Sequence, residues 1–424
     1  MIEHEFLEMI KKKLLQINPV IRTNTSTGRI MQEIGDIAMA NGWESYIAYS
    51  GGRDGMHPAC KSTPVPVGNK LDVVWHAVET RLLDRHGLAS RCATKAFIKE
   101  IERIQPDIIH IHNIHGYFLN YKILFDFLKR YGKPVVWTVH DCWLYTGHCY
   151  YYSSIGCNRW KSGCGSCPQQ KRFPTSWFVD RSKQNFIDKQ KAFNSLDKHR
   201  FVVAPVSKWM ADEMRQSLFQ NCTIQVMHNG IDLDTFKPQG NEKDVRDRYG
   251  IGNRHIIMAI ATLWHPEKGV EDLMKMSQLL NEDEVIVMVG VDDELMKRLP
   301  QNIIGIKRTA NVQQLAELYS AATAVVNPTW QDNYPTVNLE AIACGTPVVT
   351  YRTGGSPESI TPETGFVVEQ GDINGMLEAV RKIEQQGKNY YSQKCRDHAE
   401  RWFRKEDRYM DYIKLYDDLL KNTR

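Results

Sequence analysis

At 424 residues, with 42% hydrophobic and 25% charged side chains, the chain is that of a water-exposed globular protein with room for two or three domains. No apolar run reaches the roughly 18–20 residues that a bilayer-spanning helix needs, and the start, MIEHEFLEMIKKK, is charged throughout with no signal-peptide core. A net charge of +4 is too small to point to nucleic acid; the expectation is a cytoplasmic protein, with room for peripheral association with the inner face of the plasma membrane.

In chain order, Lys13–Ile17 (KLLQI) reads as a short strand, followed by a polar loop that ends at Gly28-Arg29. From there Ile30, Ile34, Ile37 and Ala38 recur at helical spacing. A strand, a loop ending in glycine and a helix make a nucleotide-fold opening, whose helix N-terminus is a ready anion site. There is no GxGxxG, so the reading stays open between a phosphate-facing loop and plain turn chemistry. Ser45–Ala48 reads as the second strand, and residues 69–104 as two amphipathic helices. Asp107–Ile111 and Lys133–Val139 read as strands, the second ending at His140-Asp141. A strand-end histidine lies near the mouth of an α/β crevice, where its near-neutral pKa suits proton handling or hydrogen bonding. His110 and His112 alternate within their strand and read as structural, while His115 stays open between the two roles.

Residues 142–174 form an unusual insertion, CWLYTGHCYYYSSIGCNRWKSGCGSCPQQKRFP, with five of the ten cysteines. Cys149, Cys157, Cys164 and Cys167 end in a glycine-flanked Cys-x-x-Cys, which resembles a knuckle that wraps one side of a tetrahedral metal. Disulfides are not expected in a reducing compartment. Two readings remain: a structural zinc, or a reduced aromatic-rich loop whose thiols pack.

Phe201–Val206 is the next strand, Ser207-Lys208-Trp209 opens a helix, and His228-Asn229-Gly230-Ile231-Asp232 contains a turn. The polar stretch Gln239–Arg254 reads as an interdomain linker. His255–Ala261 and Val285–Val289 are strands, and helices are expected from Val270, over Asp292–Leu299 and over Val312–Ser320. Ala322–Pro328 is a buried strand leading to Asp332. Pro335 suits the first turn of a helix that carries Glu340 and stops at Gly345. A strand over Pro347–Tyr351 runs into Gly354-Gly355 and a Ser356-Pro357-Glu358 helix start. Gly365–Val368, Asn374–Gln386 and a charged helical tail over about 389–421 complete the chain. Strand, acidic loop, helix, strand, glycine loop and helix describe a doubly wound crevice, in which carboxylates and loop amides hold hydroxyls and phosphates.

Residues 331–358, QDNYPTVNLEAIACGTPVVTYRTGGSPE, resemble the signature of the retaining family-4 glycosyltransferases of GT-B fold: an acid, seven residues, Glu, then GTPVV. The Cys-rich insertion resembles that of bacterial members building cell-surface polysaccharides of the colanic-acid type. The resemblance implies an α/β fold of two Rossmann-like doubly wound domains facing each other across a cleft. Residues 1–205 would form the acceptor-side domain, with the insertion at 142–174. Residues 206–400 would form the nucleotide-sugar-binding domain, and 401–424 a helix crossing back to the first. Asp332, in place of the family's first Glu, and the amides of Asn333 and Tyr334 would hold the donor sugar. Thr336 and Val337 amides would face the diphosphate and Glu340 the ribose diol. Lys268 would neutralise the diphosphate, Gly28 and Arg29 would approach it from the first domain, and His140 would contact the hexose. Leu263 stands where many members carry an arginine, and Arg29 and His265 are candidate substitutes.

The implied activity is transfer of a hexosyl group, with retained configuration, from a UDP- or GDP-linked sugar to a glycan or lipid-linked glycan acceptor. With no Asp-x-Asp at a strand end, a catalytic metal on the diphosphate is not required. Two rivals remain, a GT-B epimerase or phosphorylase and a non-catalytic sugar-nucleotide-binding scaffold.

Overall fold

The computed structural model describes residues 11–23, 25–53 and 60–422. The charged start read as lacking a signal-peptide core falls largely on residues 1–10, outside the described residues. The chain divides into two compact units, Met1–His228 with Tyr409–Arg424, and Asn229–Arg408. Each is built on a parallel sheet flanked by helices.

The first sheet has seven strands: β1 (Lys13–Ile17), β2 (Glu44–Ser50), β3 (Thr63–Val67), β4 (Ile108–Ile111), β5 (Val135–Val139), β6 (Phe201–Pro205) and β7 (Thr223–Ile224). Their order is β3-β2-β1-β4-β5-β6-β7, every pair parallel. Parallel strands covered on both faces read as continuous apolar runs, as in VVWTV of β5. Period-two alternation then divides each run between two cores. Leu15, Ile109 and Trp137 enter one, with the helices Arg91–Ile104 and Tyr121–Tyr131. Leu14, Ile108 and Val136 enter the other, with the helix Ser26–Ala40 and with Tyr409, Tyr412 and Tyr416 of the helix Lys405–Lys421.

The second sheet has six parallel strands: β8 (His255–Ile260), β9 (Glu284–Val289), β10 (Ile303–Ile306), β11 (Ala324–Asn327), β12 (Val348–Tyr351) and β13 (Gly365–Val368). Their order is β10-β9-β8-β11-β12-β13.

Several boundaries differ from expectation. The first unit runs to His228 rather than 205, because β7 and the segment after it continue the sheet. Gln225 N–H donates to the Val203 carbonyl (3.0 Å) and Met227 N–H to that of Pro205 (2.9 Å). The stretch expected as a linker, Gln239–Arg254, holds the helix Glu242–Tyr249, tied into the second unit by an Arg248–Glu317 ion pair of 2.9 Å. The tail is two helices, Lys388–Trp402 and Lys405–Lys421, and the second unit ends at Arg408 rather than 400. The edge strand β3, TPVPV, escaped the sequence reading because Pro64 and Pro66 cannot donate to a ladder, which confines them to an edge.

Candidate active site

Each sheet reverses its strand order beside its first strand, between β1 and β4 and between β8 and β11. Ligands of open parallel sheets bind at such points, beyond the carboxyl ends of the strands.

In the second unit the loops after β8 and β11 are stitched together. Trp330 N–H and the Thr329 hydroxyl both donate to the Glu267 carbonyl, at 2.8 and 3.3 Å. Gly269 has φ +78°, and a Cβ there would lie 2.1 Å from the Pro328 carbonyl oxygen, so glycine alone permits the approach. Lys268 closes a single 3-10 turn, Pro266–Lys268, that begins after His265. Its Nζ lies 2.7 Å from Oδ2 of Asp332, and both side chains are partly open to solvent. The loop after β12 holds Asp332 from another direction. Gly354, at φ +53°, leaves room for the Asp332 carbonyl, which a Cβ would meet at 1.9 Å, and Gly355 N–H donates to that carbonyl (3.3 Å).

Asn333 and Tyr334 are buried beside Asp332. Burial, with the charge of Glu358 adding to it, pushes the Tyr334 hydroxyl pKa up, so it stays protonated. The helix Thr336–Ala343 then starts with Pro335 at its cap position and no side chain capping it. Thr336 and Val337 occupy its first turn, where amides lack intrahelical partners and favour anions. Asn338 anchors this helix: it accepts from Asn327 Nδ2 (2.9 Å) and donates to the Ser356 and Ser359 hydroxyls (3.0 and 3.1 Å). Glu340, 5% exposed, accepts from the Tyr319 hydroxyl at 2.9 Å. Sequence reasoning missed Asn338 and Tyr319. A mid-helix asparagine is a weak hint, and nothing local pairs Tyr319 with Glu340. Leu263 is exposed, and Arg29 belongs to the first unit.

In the first unit, His140 follows β5 and stands at the end of a hydrogen-bond relay. Gln16 Nε2 donates to the Met31 carbonyl (2.9 Å), which leaves Gln16 Oε1 to accept from His112 Nε2–H (3.1 Å). A neutral His112 then offers Nδ1 as an acceptor, and His140 Nε2–H donates to it at 3.1 Å. Burial holds the His140 pKa down at about 4, the nearby Asp141 charge working against it and His115 with it. His140 is therefore neutral near neutral pH. His112, read as structural, orients His140. His110 bonds Thr138 (2.7 Å) and Tyr416 (2.6 Å), joining β4, β5 and the last helix. His115 pairs with Asp141 at 2.8 Å.

Gly28 and Arg29 are not a loop. They lie in the first turn of the helix Ser26–Ala40, and the Gly28 N–H is taken by the Thr25 cap hydroxyl at 3.3 Å. Gly28 is required instead by close packing, since a Cβ would meet the Arg22 carbonyl oxygen at 2.2 Å. The loop expected to end at Gly28-Arg29 thus ends earlier, with both residues inside the helix start.

The insertion packs into the first unit's core through Trp143, Tyr145, Tyr152 and Trp160. All ten cysteines are free thiols. Cys149, Cys157, Cys164 and Cys167 line one cavity of about 20 Å³, and Gly147 N–H donates to Cys164 Sγ at 3.1 Å. The thiols suit zinc chemically. As placed, however, no group of three or more His, Cys, Asp or Glu among the described residues is disposed to hold a metal ion.

Residues 29–235 match the family model Glycosyltransferase Family 4, and residues 254–386 match Glycosyl transferases group 1. Both models describe glycosyltransferases and together they span most of the chain, whose fold is GT-B. It is 25% identical over 273 residues to the "Putative colanic acid biosynthesis glycosyl transferase WcaC" of Escherichia coli K12. That match spans 63% of this chain and 65%, just under two thirds, of the relative. Among solved structures, sucrose-phosphate synthase from Thermosynechococcus elongatus superposes with a TM-score of 0.69 at 15% identity, covering 97% of this chain and 100% of the other. Anabaena HepE in complex with UDP-glucose superposes with a TM-score of 0.66 at 13% identity, covering 96% and 99%.

Proposed function

We propose that this glycosyltransferase moves a hexosyl group from a nucleoside-diphosphate sugar to a hydroxyl of a glycan or lipid-linked glycan, with retention, in bacterial surface polysaccharide synthesis. The observation that carries the reading is the Lys268–Asp332 pair, a cation and a carboxylate held 2.7 Å apart at the β8/β11 switch point. HepE, a structural neighbour, was solved with UDP-glucose, which supports a nucleotide-sugar donor.

In this reading Lys268 and the Thr336 and Val337 amides take up the charge of the leaving diphosphate, the largest electrostatic demand of the reaction. Asp332 and the Asn333 and Tyr334 amides hold the sugar hydroxyls, and Glu340 takes the ribose diol. The bond from the anomeric carbon to phosphate oxygen breaks through an oxocarbenium-like species. The acceptor oxygen bonds to that carbon on the same face, and its proton passes to the departing phosphate. His140 positions sugar as a neutral hydrogen-bonding group.

Incubation with single nucleotide sugars, with and without lipid-linked acceptor, tests this. Acceptor-dependent release of nucleoside diphosphate, with an unchanged anomeric configuration by NMR, is the expected result. Donor conversion without acceptor would instead identify an epimerase, a requirement for inorganic phosphate a phosphorylase, and binding without turnover a scaffold.

Structural zinc in the cysteine cluster is a separate proposal; it rests on four thiols lining one cavity and requires them to draw together, since as placed they do not form a metal-holding group.

A further inference from the structure

One ring nitrogen of His148 is held and the other is spare. The residue is 2% exposed, and its Nδ1–H donates to Oδ1 of Asp84 at 2.7 Å. Asp84 is itself fully buried, and its Oδ2 accepts the Arg181 backbone N–H at 2.8 Å. The carboxylate thus fixes both the position and the tautomer of the ring, leaving the lone pair on Nε2. That nitrogen is buried and has no hydrogen-bond partner among the described residues. An unmet buried polar atom costs free energy unless some other group satisfies it.

His148 lines the same cavity of about 20 Å³ as Cys149, Cys157, Cys164 and Cys167. A space of that size holds a single water or ion. A buried cation adjoins it. Lys189, 1% exposed, donates from Nζ to the Trp143 and Thr146 carbonyls, the second at 3.0 Å. Gly147, the residue after Thr146, donates its N–H to Cys164 Sγ at 3.1 Å. The ammonium therefore interacts with Cys164 and Cys149, more than with Asp141 or Asp84.

We infer that His148, through Nε2, is a ligand of a structural zinc ion together with three of the four thiols. This assignment rests on the zinc reading given above and specifies its ligands, one nitrogen and three sulfurs rather than four sulfurs. A histidine that binds metal through one nitrogen while donating the other N–H to a carboxylate is the arrangement by which proteins orient such ligands, and Asp84 and His148 have that form. Charge favours the same set. Three thiolates and a neutral imidazole leave about −1 on a zinc centre, and four thiolates leave about −2. Lys189 offsets the first, whereas the Asp84 and Asp180 carboxylates near Cys167 make further negative charge costlier. Arg159 also lines the cavity, but it is exposed and donates to the Gly165 and Ser166 carbonyls. Cys164 is one of the three sulfurs, because the Gly147 N–H and Lys189 both favour its thiolate. As placed, these groups do not form a metal-holding set. Closure falls to the segment with Cys157, Cys164 and Cys167, which is made of two single 3-10 turns with Gly156, Gly163 and Gly165 at positive φ, while Asp84 keeps His148 in place.

X-ray absorption at the zinc edge, on the full wild-type chain purified without chelator, tests the ligand set with no substitution. Three sulfurs and one nitrogen per zinc are expected. Four sulfurs would overturn the assignment of His148 and leave zinc in the cluster, whereas absence of zinc would overturn both readings. His148→Cys should retain the metal and raise the count to four sulfurs; an unchanged count would remove His148 from the site. Asp84→Asn should lower zinc affinity about ten- to a hundredfold in competition with a chromophoric chelator, with the sulfur count unchanged. Equal affinity would overturn the role given to Asp84. Both positions are buried, so the wild-type spectrum decides where a variant fails to fold.

Discussion

Lys268 and Asp332, 64 residues apart, meet at 2.7 Å because two glycines let three loops share one space. The pair is partly solvated, so its own contribution to stability is about 1 kcal/mol or less. Its position at the strand-order reversal matters more. Lys268→Ala is expected to lower kcat about a hundred- to a thousandfold, the typical cost of removing one charge-stabilising donor. Asp332→Ala should also depress turnover more than melting temperature. Steady-state kinetics beside thermal unfolding checks this, and equal loss of folding in both variants would remove the assigned roles.

Glu340 is buried against Tyr319, so truncation has two effects. Glu340→Ala should weaken donor binding about tenfold and leave the Tyr319 hydroxyl without this acceptor, at a cost of about 1–3 kcal/mol. Tyr319→Phe should restore most of the stability to the Glu340→Ala background without restoring affinity. Nucleotide titration calorimetry and denaturant unfolding separate the two effects.

The relay from Gln16 through His112 sets the His140 tautomer. Gln16→Met removes the acceptor that fixes His112. It is expected to lower kcat about tenfold with donor KM nearly unchanged, within the range of general hydrogen-bonding contributions. Nitrogen NMR of His140 should show a mixed tautomer in the variant; an unchanged spectrum would reduce the relay to packing.

Histidines that fold neutral make the protein acid-sensitive. Burial lowers His140 from 6.5 to about 4, and burial with the Arg53 charge lowers His76 to about 3. Between those values and 6.5 the unfolded chain binds more protons than the folded one, so stability rises with pH in that window. Melting temperature should hold steady above about pH 6.5 with respect to these groups and fall as pH drops toward 4. A flat profile would show that the two rings are protonated in the folded chain.

For the cysteine cluster, elemental analysis of protein purified without chelator should find about one zinc per chain, lost with Cys164→Ser. Absence of stoichiometric zinc would leave four reduced thiols that pack.

What the sequence determined by itself was periodic or local. Apolar runs such as VVWTV gave most of the strands, and Pro335, Gly345 and the acid pair at 332 and 340 marked the strand–loop–helix unit, because turn and cap chemistry acts over a few residues. The tertiary structure decided what depends on distant backbone. Gly28 proved to be a packing glycine because the Arg22 carbonyl lies against it. His112 became the partner of His140 only when β4 and β5 aligned, and Asn338 and Tyr319 acquired their roles from Ser356 and Glu340, contacts with no periodic trace. The helix Lys70–Leu83 is the plainest instance: amphipathic spacing identifies it, but which face is buried depends on what the rest of the fold offers, and here Ser90 and Gly87 offer partners to His76 while Leu71 and Trp75 face out.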